Sequence, residues 1–320
     1  MPSPTRVAIV GATATGKTDL AVAVARRRPG VELVSVDAMA VYRGLDVGTA
    51  KPTAEQRTGV TWHLLDVVDP SCDFSVAAFQ AAGRAALRAI DERGHVSLLV
   101  GGTGLYHRAL VDDLDLPGRY PGLAARLDAE AAELGAAALH RRLAELDPLA
   151  ASRIEPGNRR RIVRALEVTL GSGRPFSASG PGLGEYRPAG TVLLGLALER
   201  SELDRRIAAR LDAQMRGGLL DEVARLAGAP GGLGRTARQA LGYRELLAHL
   251  EGRSSLDEAI AETLRRTRAF ARRQERWFRR DPRVTWWRAD EPGLAERLAE
   301  LLEPSAQTGA GPAAPAPRET

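Results

Sequence analysis

Residues 11 to 18 read Gly-Ala-Thr-Ala-Thr-Gly-Lys-Thr, and this octapeptide constrains the fold more than any other segment of the chain. It fits the phosphate-binding pattern G-x-x-x-x-G-K-[ST] in full. The apolar run Val7-Ala8-Ile9-Val10 precedes it, and Asp19 to Arg28 follows as a helix stopped by Pro29-Gly30. A strand, a glycine-rich turn and a helix N-terminus in that order direct backbone N–H groups and the positive end of a helix dipole at an anion. Gly11, Ala12, Thr13, Ala14, Thr15 and Gly16 supply the cradle, Lys17 a compact ammonium for the terminal phosphates, and Thr18 a hydroxyl for Mg2+. Lys17 is one of only two lysines, which leaves 43 of the 45 basic residues as arginine. Such a bias reads as base composition of the coding sequence, so the two surviving lysines, Lys17 and Lys51, are the informative ones.

Apolar β-type runs recur at 31 to 36, 97 to 100 and 191 to 198, with alanine-rich helical stretches between the first three. This alternation predicts a parallel sheet, which places ligands beyond the carboxyl ends of its strands. From about 115 to 188 the β pattern vanishes, and helical periodicity runs through 123 to 134, 139 to 146 and 160 to 170. Amphipathic helices follow from 200 through 226 and from 255 to about 280. The expected fold is therefore α/β, a P-loop parallel-sheet core with an inserted all-helical domain and C-terminal helices. Its parts are the first core segment (1 to 115), the helical insertion (116 to 188), the core continuation with C-terminal helices (189 to 303), and a tail (304 to 320) too poor in large apolar groups to pack.

With 44% hydrophobic residues but no apolar run of about 18, the chain shows no membrane span, and MPSPTRVAIV lacks the apolar core of a signal peptide. A cytoplasmic, monomeric protein is expected. The single cysteine, Cys72, forms no internal disulfide and no cysteine cluster for zinc. His63 and His107 have no second histidine at ligand spacing. The net charge of +5 is modest, but Arg159-Arg160-Arg161 with Arg164, and the stretch from Arg265 to Arg280, concentrate positive charge as a polyanion-binding surface does.

Three strand ends carry the candidate chemistry: Gly11 to Thr18, Asp37 to Tyr42, and Gly101-Gly102-Thr103-Gly104. The third offers a hydroxyl but no carboxylate, where many P-loop enzymes place a metal-holding acid. Asp37 stands where it can hold a metal or take a proton from an attacking nucleophile, and the residues alone do not separate the two roles.

Seven segments together resemble bacterial tRNA dimethylallyltransferases, of the isopentenyltransferase family. They are GATATGKT (11 to 18), ELVSVDAMAVYRGLDVGTAKP (32 to 52), HLLDVVDP (63 to 70), LLVGGTGLY (98 to 106), NRRRIVRALEV (158 to 168), RQALGYRE (238 to 245) and RAFARRQERWFRR (268 to 280). The resemblance spans nearly the whole chain. It implies that the loop holds the diphosphate of dimethylallyl diphosphate, with Lys17 and Arg210 neutralising charge and Thr18 carrying Mg2+. It implies further that Asp37 is general base toward the N6 amine of the adenosine next to the anticodon, with Thr103 bonding near the reacting centre. For contact with the tRNA anticodon stem-loop it implies Asp37, Ala38, Met39, Ala40, Thr103, Arg126, Arg160, Arg161, Ile162, Val163, Arg164, Gln239, Gly242, Tyr243 and Arg244. Lys51 is assigned to RNA contact as well, since it escaped the arginine bias, while Arg126 reads equally as a solvated helix residue. Trp277, Trp286 and Trp287 read as core more readily than as base-stacking platforms. The family often has a larger apolar residue where Gly104 stands and a lysine where Arg244 or Arg272 stands; neither departure touches a proposed catalytic group. The tail holds no cysteine or histidine, so the zinc-finger extension of larger eukaryotic relatives is not expected. Two competing readings remain, a P-loop kinase of a nucleoside or other small molecule, and a non-catalytic RNA-binding protein switched by nucleotide.

Overall fold

Val7, Ala8, Ile9 and Val10 are all fully buried, so the strand they form is covered on both faces, as a central strand of a parallel sheet must be. In the computed structural model this is β1 (Arg6–Gly11), which leads through the P-loop into α1 (Lys17–Arg27). The structure describes residues 6–179, 183–186 and 190–302; the segment 304 to 320 expected not to pack lies outside them. Helix α1 carries Asp19 in its first turn and Arg26 and Arg27 in its last, each sign matched to the dipole end it faces. Next come β2 (Val31–Ser35), α2 (Ala54–Arg57), β3 (Trp62–His63), α3 (Val76–Glu92), β4 (Val96–Val100) and α4 (Gly104–Val111). The helical insertion comprises α5 (Pro121–Leu134), α6 (Ala136–Leu146), α7 (Pro148–Ser152) and α8 (Arg159–Ser172). The core resumes with β5 (Thr191–Ala197), α9 (Arg200–Arg216), α10 (Leu219–Gly228), α11 (Tyr243–Leu250), α12 (Leu256–Arg279), β6 (Val284–Arg288) and α13 (Leu294–Leu301).

The six strands form one sheet in the order β3-β2-β4-β1-β5-β6, and every neighbouring pair is parallel. Register Ser35↔Val100 joins β2 to β4, Ile9↔Val100 joins β4 to β1, and Gly11↔Leu196 joins β1 to β5, so these four strands end along one line. The P-loop, the Asp37 turn and the Gly101-Gly102-Thr103 turn therefore share one edge of the sheet. Glycine makes the approach possible: a Cβ on Gly101 would stand 2.0 Å from the Val36 carbonyl oxygen, and one on Gly11 2.6 Å from that of Leu196.

Two apolar layers cover the sheet. One contains Val7, Leu33 and Leu98 with Leu20 and Val24 of α1 and Leu294 and Leu298 of α13; the other contains Val10, Val34 and Leu99 with Phe79, Tyr106 and Phe278. The insertion has its own core, built from Leu127, Leu139, Leu143, Ile162 and Leu166. Fully burying one such leucine or isoleucine is worth roughly 1.5–3 kcal/mol. Buried Asp147 links α7 to the segment after α8: it caps Ala150 N–H at 3.0 Å and accepts Ser177 N–H at 2.8 Å.

The sheet has two strands beyond those read from the sequence. With two residues, β3 is too short to show a period, and β6 is spelled Val-Thr-Trp-Trp-Arg, a tryptophan pair rather than an aliphatic run. Trp286 and Trp287 pack on opposite apolar layers, as alternation along a strand requires, with Arg279 over the first ring and Arg297 over the second. The stretch 200 to 226 is broken at Gly217-Gly218, where Gly218 takes φ 86° and starts a new helix.

At the amino end of β2, Glu32 is buried and accepts from Arg93 Nε and Nη2, His63 Nε2 and His95 Nδ1 at 2.6–2.9 Å. Burial by itself would raise its pKa, but these hydrogen bonds outweigh burial and hold the carboxyl down to about 2. A carboxyl depressed in the folded state lends stability that is complete above its ordinary value near 4.5 and lost as pH falls toward about 2. Chemical denaturation of wild type and Glu32→Gln between pH 6 and 2.5 should therefore give stability differences that shrink as pH drops; a constant difference would mean that Glu32 keeps an ordinary pKa.

Candidate active site

The P-loop bends where its residues can bend. Gly16 adopts φ 85° and Ala14 φ 64°, and the turn closes on the Ala12 carbonyl, which accepts from the Thr15 hydroxyl at 2.9 Å and from Lys17 Nζ. Gly16 serves as N-cap of α1 without a capping side chain, which leaves the first-turn N–H groups for an anion. From α9, Arg210 Nη1 reaches the Thr13 hydroxyl at 3.3 Å and Nη2 the Thr49 carbonyl at 3.5 Å. Two cations thus face one loop. Burial first, and the Arg210 guanidinium second, hold the Lys17 ammonium down to about 7, with the Asp37 carboxylate opposing both. Burial likewise lowers Arg210, again against Asp37. A pair of neighbouring cations with one carboxylate in reach is a receptor for a multiply charged anion.

Asp37 follows β2 and is half-buried. Its Oδ1 accepts Met39 N–H at 2.8 Å and Ala40 N–H at 3.2 Å, a local turn that fixes the side chain while leaving Oδ2 without a hydrogen bond among the described residues. Thr103, at the N-cap of α4, accepts the Ala38 N–H on Oγ1 at 3.1 Å, and Thr103 N–H reaches the Val36 carbonyl at 3.4 Å. The Thr103 hydroxyl proton is then available to donate. A carboxylate, a hydroxyl and a cationic cradle stand on three adjacent strand ends. Among the described residues, no three His, Cys, Asp or Glu side chains cluster to hold a metal.

The structure separates the residues assigned to RNA contact. Arg126, Arg160, Arg161, Gln239 and Arg244 are exposed, and Ala38 and Met39 are half-buried beside Asp37. Lys51 is different, and its assignment is corrected: its side chain is 1% exposed, and Nζ is enclosed by the Tyr42 carbonyl, Asp46 Oδ1 and Asp66 Oδ1 at 2.5–2.7 Å. An ammonium with three acceptors in the interior braces the loop and has no donor left for phosphate. Ile162 and Val163 face the insertion core, and Tyr243 is fully buried with its hydroxyl on Glu222, so none of these three side chains reaches an outside partner. Ala40 and Gly242 are buried as well. Arg164 is half-committed to the Pro117 carbonyl at 2.7 Å and to Glu167 at 2.8 Å.

Two residues absent from the sequence assignment matter to the site. Glu222 gathers Asp46, Val47 and Gly48 N–H at 2.9–3.1 Å together with the Tyr243 hydroxyl, holding the loop that carries Thr49 beneath Arg210. Gln274 bonds the P-loop from α12. The one signal in the sequence is a glutamine at a core-facing position in an arginine-rich helix, and a glutamate followed by Val223 and Leu226 in a buried stripe.

Comparison with known proteins gives the chain its family. The IPP transferase family profile matches residues 40–281, and an isopentenyl transferase profile matches 5–69. A tRNA dimethylallyltransferase of Kineococcus radiotolerans is 52% identical over 311 residues, covering 94% of this chain and 97% of that protein. One from a Nocardioides strain is 49% identical, with 94% and 97% covered. The crystal structure of the tRNA isopentenylpyrophosphate transferase of Bacillus halodurans superposes with a TM-score of 0.68 at 39% identity, covering 93% of this chain and 95% of that one. On the extent of these matches, the chain belongs to the IPP transferase family, that of the tRNA dimethylallyltransferases.

Proposed function

We propose that this protein transfers the dimethylallyl group from dimethylallyl diphosphate to the N6 amine of the adenosine immediately 3′ of the anticodon in tRNA, releasing pyrophosphate. The observation that carries the reading is the pairing of a two-cation P-loop with Asp37 across a strand end, Gly101-Gly102-Thr103, that has no carboxylate. Such a site receives a diphosphate and a proton donor together. The relatives named as tRNA dimethylallyltransferases support it, and they do not favour the small-molecule kinase reading.

In this mechanism the bond from C1 of the dimethylallyl group to the diphosphate oxygen breaks while the adenine N6 forms a bond to C1. Lys17 and Arg210 stabilise negative charge growing on the leaving pyrophosphate, and the first-turn N–H groups of α1 add the helix dipole. Asp37 Oδ2 takes the proton released from N6, its partner oxygen being held by Met39 and Ala40 N–H. The Thr103 hydroxyl donates toward the adenine or the bridging oxygen. Thr18 would be the residue to hold Mg2+, its hydroxyl being a hard oxygen donor of the sort that ion takes with few protein ligands. That ion would supply further charge neutralisation on the leaving group.

An adenine in a stacked loop cannot reach a strand-end crevice, so the base must be extruded, at a cost of roughly a few kcal/mol met by new contacts. Arg160 and Arg161 fit that task. They sit exposed in the first turn of α8, where positive charge opposes the helix dipole, an arrangement that becomes favourable once a phosphate binds. A cytoplasmic location goes with action on tRNA in this reading, and among the described residues no helix is long and apolar enough to cross a membrane.

Three outcomes are expected. Radiolabel supplied as dimethylallyl diphosphate should enter tRNA, and Asp37→Asn should lower kcat by about 10²–10⁴ while tRNA affinity holds; full turnover in that variant would sink the general-base role. Replacing Arg160 and Arg161 by alanine should weaken tRNA binding and flatten its log–log salt slope by about 1–2, with an unchanged slope ruling out phosphate contact. Lys17 gives a pH signature. Its ammonium is largely neutral above about 7 in the free protein, and a bound diphosphate favours the charged form. Pyrophosphate affinity should therefore decline as pH rises above about 7, and calorimetry in two buffers at pH 8.5 should show about one proton more taken up by wild type than by Lys17→Met. Equal uptake by the two proteins would mean that Lys17 takes up no proton when the diphosphate binds.

A further inference from the structure

Gln274 lies near the carboxyl end of α12, on the buried face that also carries Ala271 and Phe278. Its amide touches two backbone groups that belong to different parts of the site. Oε1 accepts the N–H of Thr13 at 2.8 Å, and Nε2 donates to the carbonyl of Gly102 at 2.9 Å. Thr13 is inside the P-loop. Gly102 precedes Thr103, whose Oγ1 in turn holds the Ala38 N–H next to Asp37.

The chemistry of this bridge restricts the side chain. A backbone N–H only donates and a backbone carbonyl only accepts, so a group joining them must do both. A glutamine amide does so in one orientation, and the two backbone partners determine which. The bridge also explains a glycine. A Cβ on Gly102 would stand 2.2 Å from Gln274 Nε2 and 3.2 Å from the Gly11 carbonyl oxygen, so the amide can reach its acceptor only because that position has no side chain. Thr13 receives a second tether at its hydroxyl, from Arg210.

We propose that Gln274 is a positioning residue that holds the diphosphate loop in register with the Gly102-Thr103 turn and, through Thr103, with the turn bearing Asp37. The claim rests on the prenyl-transfer reading above and adds to it a part that touches neither substrate. The transferred carbon is fixed by the diphosphate in the P-loop, whereas the amine that attacks it is fixed by Asp37 and Thr103. Their separation is the separation of two loops, and a misplacement of about 1 Å between reacting groups costs on the order of 10² in rate.

The test is Gln274→Glu in the full chain. This isosteric change keeps the acceptor for Thr13 but turns an oxygen toward the Gly102 carbonyl. The expected result is a kcat for prenyl transfer lower by about 10- to 100-fold, with the KM values for tRNA and dimethylallyl diphosphate held within about threefold. The ratio of variant to wild-type kcat should rise as pH falls, because a protonated carboxyl restores a donor to Gly102 and burial raises the pH at which that occurs. A kcat within about twofold of wild type, or a loss independent of pH and matched in both KM values, would overturn the proposal. Wild-type protein that transfers no prenyl group would sink the functional reading instead. Hydrogen exchange then decides the register claim: faster exchange of the Thr13 amide in Gln274→Met with unaltered protection of β1 supports it, and unchanged exchange at Thr13 overturns it.

Discussion

The parallel register of β2, β4, β1 and β5 is the constraint on which the rest of the molecule depends. It aligns Ser35, Val100, Gly11 and Leu196 at one edge, so three loops far apart in sequence begin from neighbouring points. The alignment is tight enough that backbone atoms occupy the space of side chains. A Cβ at Gly101 would collide with the Val36 carbonyl, and a rigid backbone oxygen cannot step aside as the end of a flexible side chain can. The glycines after β1 and β4 therefore serve packing between strands as much as the approach of a ligand.

On that edge the electrostatics are deliberately unbalanced. Lys17 and Arg210 repel one another across the P-loop, and Asp37 compensates only in part. In the proposed reaction such a site would be preorganised: its strain would be relieved by a bound diphosphate, and the relief would grow as negative charge moves onto the leaving group. Folding must hold such a site against its own repulsion, and buried polar groups do so. Lys51 joins Tyr42, Asp46 and Asp66; Glu222 joins three consecutive N–H groups to Tyr243; Gln274 joins the P-loop to Gly102. Each gives a buried polar side chain its partners, and each ties a loop of the site to another part of the fold.

Legibility in the sequence followed the physics of each signal. The P-loop was readable because its glycines, lysine and hydroxyl serve one local geometry, with the required strand before it and helix after it. Aliphatic strands buried on both faces stood out, and so did the helical insertion, whose apolar spacing has the period of a helix. The strands β3 and β6 did not, since two residues have no period and two adjacent tryptophans mask alternation. Lys51 was misread for a different reason. Its rarity marked it as important, which the structure upholds, but rarity carries no information about whether an ammonium faces solvent or three buried oxygens. Ile162, Val163 and Tyr243 sit in segments that carry exposed arginines, and membership in a segment says nothing about which face of a helix a residue takes.

The sequence by itself determined the phosphate-binding loop, the parallel α/β class, the inserted helices and the identity of Asp37 and Thr103 as strand-end groups, because each of these follows from contacts between residues close in the chain or from a period along it. Only the tertiary structure decided which charges are enclosed, and that a glutamine 261 positions from Thr13 ties the P-loop to Gly102. Arg210, Glu222 and Gln274 act through groups distant in sequence, where neither periodicity nor local propensity leaves a trace. Their partners are fixed by sheet order and helix packing, which are properties of the whole chain.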